Sequence, residues 1–279
     1  MKKEIMNHIK TYLLAGLAFF YLSCQNSNSE VKGNLKDEAK PVEMNSSEAA
    51  EVVNGPNHQP WSDLLKKHVN SSGMVDYEGF IKDKAKLEAY LKTLSSARPD
   101  KNTWSREEQL AYWINAYNAF TVKLIVDNYP TKSIKDLGPA LKIPLVSDVW
   151  HYKFFQIEGE DFSLDEIEHG ILRKEFDEPR IHFAVNCASI SCPPLLNEAF
   201  FPSKLDQQLN SQAVAFINGG VRNKISQNSV QLSSIFSWFK GDFTDNGSLI
   251  DFLNKYSKVK IDKNAKISYL DYDWNLNKQ

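Results

Sequence analysis

The sequence has little charge imbalance, no glycine-rich loop and no internal repeat. Its net charge is -2, which gives no electrostatic case for nucleic acid. Without a glycine-rich loop, the common phosphate-cradling signature is missing. Without a segment recurring at fixed period, solenoids and propellers are excluded. No apolar run reaches the roughly 20 residues that a membrane-spanning helix needs. Cysteine is scarce, with three in 279 residues, and there are six histidines. Beyond Cys24 the only cysteines are Cys187 and Cys192. Their Cys-x4-Cys spacing is wider than the usual zinc-ribbon pair and no second pair exists. No metal site and no cofactor is therefore expected, although two cysteines with His182 and His169 match zinc's ligand types.

What is present begins with a targeting signal. Lys2, Lys3 and Lys10 precede an apolar run from Tyr12 to Leu22, too short to span a bilayer and suited to the h-region of a secretory signal. Leu22-Ser23-Cys24 looks like the lipobox of a bacterial lipoprotein, in which Cys24 becomes the lipidated first residue. Residues 1–23 are thus expected to be a lipoprotein signal peptide. Residues 24–57 are polar and poor in large apolar groups, so they cannot bury enough surface to offset ordering entropy. They are expected to form a flexible tether. Residues 58–279 suit one domain with a sizeable core. The expected address is the bacterial cell envelope, on the periplasmic or cell-surface side, with the membrane as a partner through Cys24. Outside the cytoplasm a cysteine pair can oxidise.

Within the domain, Trp61 to Val69 has helical apolar spacing and Met74 to Tyr77 suits a short strand. Leu87, Tyr90, Leu91 and Leu94 mark a second helix. A longer helix starts at the capping box Ser105/Glu108 and is limited by Pro130. From Leu110 to Val126 it is apolar on nearly every face except at Asn115 and Asn118, so it is expected to be central and buried. Asn115 and Asn118 lie three apart on one side. Buried amides must find partners or cost about 1–3 kcal/mol each. They tie down a neighbouring loop or face a pocket. Trp150 to Ile157 suggests a strand, and the capping box Ser163/Glu166 opens a helix carrying Glu168 and His169. A helix from about Ser203 to Ile217, a hairpin over Lys224 to Leu232, an aromatic core patch at Ile235 to Phe239, a helix over Leu249 to Tyr256 and a strand over Lys266 to Leu270 follow. Helices and strands at uneven spacing suggest an α+β single domain, with a long buried central helix packed on a mixed or antiparallel sheet.

The stretch from Ile181 to Leu195 places His182 beside Cys187 and Cys192. Ile181 to Val185 is short, apolar and β-branched, which predicts a buried strand. From Ala188 it becomes a small-residue loop stopped by Pro193-Pro194. Three readings compete. Cys187 is a nucleophile with His182 or His169 as base, though strand alternation would put His182 and Cys187 on opposite faces. Alternatively Cys187 and Cys192 form a structural disulfide that fixes local shape, or the segment binds a metal. Candidate binding residues are Trp113, Asn115, Asn118, Asn186 and Ser189.

Several motifs together resemble the bacterial and plant proteins grouped as domain of unknown function 547. They are Gly73-Met74-Val75-Asp76-Tyr77, the helix from Gln109 to Ala119, Ser163 to His169, Pro179 to Leu195, Ile235 to Phe239, and Tyr272 to Leu276. That resemblance supplies no reaction. A fainter one is to papain-like and transglutaminase-like hydrolases, which set a cysteine at the start of a central helix against a histidine opening a strand. Here the central helix and His182 fit that outline, but the helix carries Asn115 and Asn118 and no cysteine. The nucleophile has then moved to Cys187, or the site has become a binding pocket. The sequence therefore points to a lipid-anchored domain with a polar pocket for a small-molecule or peptide ligand and a Cys187–Cys192 disulfide. The alternative is a thiol-dependent hydrolase or acyl transferase.

Overall fold

A computed structural model describes residues 54–139 and 148–279. The expected signal peptide, Cys24 and the tether up to residue 53 lie outside the described residues. Asn54, assigned to the tether, donates its backbone N–H to the Glu108 carboxylate at 2.6 Å and its side-chain amide to Thr103 O at 2.7 Å.

The first half of the domain is helical. Helices α1 (Gln59–His68), α2 (Tyr77–Lys82) and α3 (Lys84–Ser95) pack around α4 (Arg106–Asp127). The capping box that starts α4 is formed as expected: Ser105 Oγ accepts from Glu108 N, and the Glu108 carboxylate accepts from Ser105 N. Nearly all of α4 is buried from Leu110 to Val126, including Asn115 at 0% and Asn118 at 2% exposure. A helix apolar on all sides has no solvent face to offer, so the other elements wrap it.

The expected strand over Trp150 to Ile157 shortens to β1 (Phe155–Ile157), paired antiparallel with β2 (Glu160–Phe162). The Ser163/Glu166 capping box is present, and the turns after it form a π-helix over Glu166–Leu172 that runs into α5 (Arg173–Glu175). Helix α6 (Leu205–Asn218) follows. The expected hairpin is formed by β3 (Lys224–Ile225) and β4 (Ser229–Leu232). Short helices α7 (Ile235–Trp238) and α8 (Lys240–Thr244) lead to α9 (Leu249–Tyr256). Strand β5 (Lys266–Tyr269) then pairs parallel to β4, so the domain is α+β with small sheets. Between Met74 and Tyr77 only an isolated bridge at Val75 forms, not a strand.

The main correction concerns Ile181 to Val185. This is not a strand: Pro179–Phe183 forms a 3₁₀ helix. A short apolar run does not distinguish a strand from a buried helical turn. Here Pro179 at the first turn presets φ, and the Glu178 side chain accepts from Arg180 N at 3.2 Å to cap it. The turn joins two cores. Ile181 and Ala184 pack with α1–α4, while Phe183 packs with Phe216, Phe236, Phe243 and Phe252.

The following loop is fastened to α4 by side-chain amides. Asn118 donates to Ala184 O at 2.9 Å and accepts from Asn186 N at 2.8 Å. Asn186 in turn donates to Pro193 O at 2.7 Å and accepts from Ala188 N and from the Asn277 amide. Ala188 takes φ 57, a left-handed conformation that costs about 1–3 kcal/mol away from glycine, and the Asn186 bond helps hold it there. Asn115 similarly closes on the backbone N and O of Phe200. Asn118→Leu therefore leaves two buried backbone groups unpaired. It should destabilise the domain by about 1–3 kcal/mol in urea denaturation. Wild-type stability would show that the amide is not holding the loop.

Candidate functional site

The chain turns at Ala188 and sets Cys187 at the edge of a pocket of about 260 Å³. Its wall is aromatic: Trp150, Trp238, Phe239, Tyr272 and Trp274 come from three separate stretches. Tyr272 and Trp274 have ring centroids 4.5 Å apart, Trp238 lies 4.7 Å from Tyr272, and Trp150 lies 5.3 Å from Trp274. Trp238, expected in the core, is 51% exposed and forms part of this wall. Polar groups on the pocket are Tyr117, Glu168, His169, His182 and the two cysteines. A larger cleft of about 670 Å³ lies near Asn54, His58 and Glu108. Two of its ionisable groups, Glu108 and His58, are committed elsewhere. Glu108 caps α4, and His58 bonds the Tyr90 hydroxyl, with burial pulling its pKa down to about 4.

The C-terminal tail clamps the cysteine loop. Ile190 N donates to Asn275 O, Ser191 N to Asp273 O, and Asn277 N to Ala188 O. The tail thereby delivers Tyr272, whose hydroxyl lies 3.4 Å from Cys187 Sγ. Ser189 Oγ donates to the Tyr272 oxygen at 3.2 Å and lies 3.5 Å from Cys187 Sγ.

The expected disulfide is not formed. Cys187 and Cys192 are both free, with their sulfurs 2.8 Å apart, whereas a disulfide bond is about 2.05 Å. The two thiols differ in surroundings. Cys187 is half-buried at the pocket edge and Cys192 is 3% exposed. The hydrogen bond with the Cys192 thiol does most to lower the Cys187 pKa; burial opposes it, and Tyr272 and Ser189 add to the lowering. Burial, reinforced by Cys187, pushes the Cys192 thiol well up. Burial also raises Tyr272, so its hydroxyl stays protonated as a donor toward Cys187.

Neither His182 nor His169 hydrogen-bonds Cys187; among the described residues the partners of its sulfur are Cys192, Tyr272 and Ser189. His182 Nε2 lies 2.7 Å from Asp242, a carboxylate that also takes a bidentate pair from Arg173 at 2.6 and 2.7 Å. Partial burial raises the Asp242 pKa, but the bonds from Arg173 and His182 outweigh it and hold the carboxyl well below its usual range. Among the described residues His182 Nδ1 is buried without a partner, and the ring stacks on Phe239 at 4.0 Å. His169 Nδ1 accepts from Arg173 at 2.8 Å, which assigns the proton of the neutral ring to Nε2.

His169, His182 and Cys187 therefore do share one pocket, through the 3₁₀ turn rather than a strand. Trp113, Asn115, Asn118, Asn186 and Ser189 do not line it. Trp113 packs in the core against Tyr112 and Phe162, and the others hold backbone or the Cys187–Tyr272 contact. Glu168, Tyr117, Tyr272 and the tryptophans are pocket groups that the sequence did not single out by role. For Tyr272 and Trp274 the signal was the Tyr-Asp-Trp-Asn run near the C-terminus.

Residues 101–217 match the family model described as Protein of unknown function, DUF547. Over that stretch the chain is similar to the DUF547 proteins. The DUF547 match covers α4, the 3₁₀ turn and both cysteines. The aromatic wall at Trp238 and Trp274 falls beyond it. No curated protein and no solved structure matches.

Proposed function

We propose that this DUF547-like domain is a ligand-binding module held at a membrane by lipid on Cys24, with the Trp150–Trp238–Tyr272–Trp274 pocket as its binding site. The observation that carries the reading is the pocket's make-up: an aromatic wall with a few convergent polar groups, Glu168, His169 and Cys187, at one place. A small ligand with a planar or apolar body suits the rings, and a hydrogen-bond donor on it suits Glu168.

Hydrolysis or acyl transfer by a Cys–His couple is the second reading. Its support is the free Cys187 with a lowered pKa in the same pocket as His182 and His169. Against it, a thiol–base hydrogen bond is missing and His182 Nε2 is bonded to Asp242. The binding reading needs no such bond.

Ligand-observed NMR against small planar and sugar-like fragments tests the pocket. Hits should weaken about tenfold in Trp238→Ala, the scale of one lost aromatic contact at about 1.4 kcal/mol. Hits indifferent to Trp238→Ala would contradict the assignment. For the anchor, Cys24→Ala should shift the protein from the membrane to the soluble fraction or block its processing. Unchanged partition and mass would remove the lipid from the account.

A further inference from the structure

We propose that Cys187 and Cys192 form a dithiol that exchanges with the disulfide of a peptide-like ligand entering the aromatic pocket. This goes beyond ligand binding: it assigns the pair an activity.

Three geometric facts carry it. The sulfurs sit 2.8 Å apart with both thiols free, so a mixed disulfide on one would lie within reach of the other. Access is unequal: both cysteines line the pocket, but Cys187 is half-buried while Cys192 is 3% exposed. Donors are also placed for both steps. The Tyr272 hydroxyl faces Cys187 Sγ at 3.4 Å, and the backbone N–H of Cys187 donates to Cys192 Sγ at 2.8 Å. The first supports a thiolate at Cys187, and the second supports the charge that develops on Cys192 when it resolves. The directions of the two pKa shifts, down for Cys187 and up for Cys192, agree with a nucleophile and a resolving thiol.

The reaction balances without a further reagent. The Cys187 thiolate attacks one sulfur of the ligand disulfide. A Cys187–ligand S–S bond forms, the ligand S–S bond breaks, and the leaving thiolate takes a proton from water. Cys192 then attacks Cys187 Sγ. A Cys187–Cys192 bond forms, the mixed disulfide breaks, and the second ligand thiolate takes the Cys192 proton. Two electrons pass from the cysteine pair to the ligand, which leaves as two thiols. The clamped loop is suited to this, because the hydrogen bonds of Ser191, Ile190 and Asn277 keep the two cysteines in register through both steps.

Glutathione disulfide, a peptide disulfide, is the probe. The full-length reduced protein is mixed with it and the adducts are mapped by peptide mass spectrometry, which scores Cys24 separately. Wild type should pass to a Cys187–Cys192 disulfide with little mixed disulfide remaining. Cys192→Ser should stop at one glutathione on Cys187, and Cys187→Ser should lose the fast step by about a hundredfold or more. Tyr272→Phe leaves both thiols in place and guards against a cysteine variant that fails to fold; it should slow the first step about three- to tenfold. A wild type that stays glutathionylated would overturn the proposal. So would a Cys187→Ser protein reacting at the wild-type rate, or a Tyr272→Phe protein unchanged in rate. These results are separate from fragment binding: a pocket that binds fragments without exchange keeps the binding module and removes the dithiol activity, and the reverse outcome does the opposite.

Discussion

A single buried amide, that of Asn118, decides where the chain's chemistry can sit. It closes both ends on one loop, donating to Ala184 O and accepting from Asn186 N. Buried inside the helix at 2% exposure, such a group has no water to fall back on, so unpairing it costs about 1–3 kcal/mol. Asn186 extends the network to Ala188, Pro193 and Asn277. The longest helix, the cysteine loop and the C-terminal tail are thereby tied at one point. Ala188 can hold its left-handed φ of 57 because these bonds over-determine it.

The consequence for function is positional. With the loop fixed, both cysteines line the pocket, Cys187 half-buried and Cys192 nearly fully buried. The tail that pairs with the loop also carries Tyr272 and Trp274 into the wall. Burial raises both thiols, but at Cys187 the hydrogen bonds with Cys192, Tyr272 and Ser189 outweigh it, whereas at Cys192 burial dominates. His182 and His169 are spent on a different task, linking Arg173 and Asp242 into a polar cluster beside the pocket. That separation leaves Cys187 hydrogen-bonded to Cys192, Tyr272 and Ser189 rather than to a histidine base.

The parts of this arrangement that were legible in the sequence are local ones. The Ser105/Glu108 box and the unbroken apolar run identify α4, and alternation with turn residues identifies the β3–β4 hairpin and β5. The buried state of Asn115 and Asn118, and their use in tying down neighbouring backbone, follow from two amides inside an apolar helix. The 3₁₀ turn was not legible, because Ile181 to Val185 is too short for periodicity to separate a strand from a buried turn, and the parity argument separating His182 from Cys187 failed with it. The aromatic wall was hidden for another reason. Trp150, Trp238 and Trp274 are far apart in the chain and meet only in the tertiary structure. Cysteine spacing alone could not distinguish a bridge from two thiols in contact.

The central claim is that this network presents Cys187 as a free, activated thiol over a protected Cys192. Alkylation of the native protein with iodoacetamide across pH, with adducts mapped by peptide, measures it most directly. Cys187 should be modified first, with a midpoint below the about 8.5 of an ordinary thiol, and Cys192 should react only after unfolding. Labelling confined to Cys192, or no labelling of either before reduction, would contradict it.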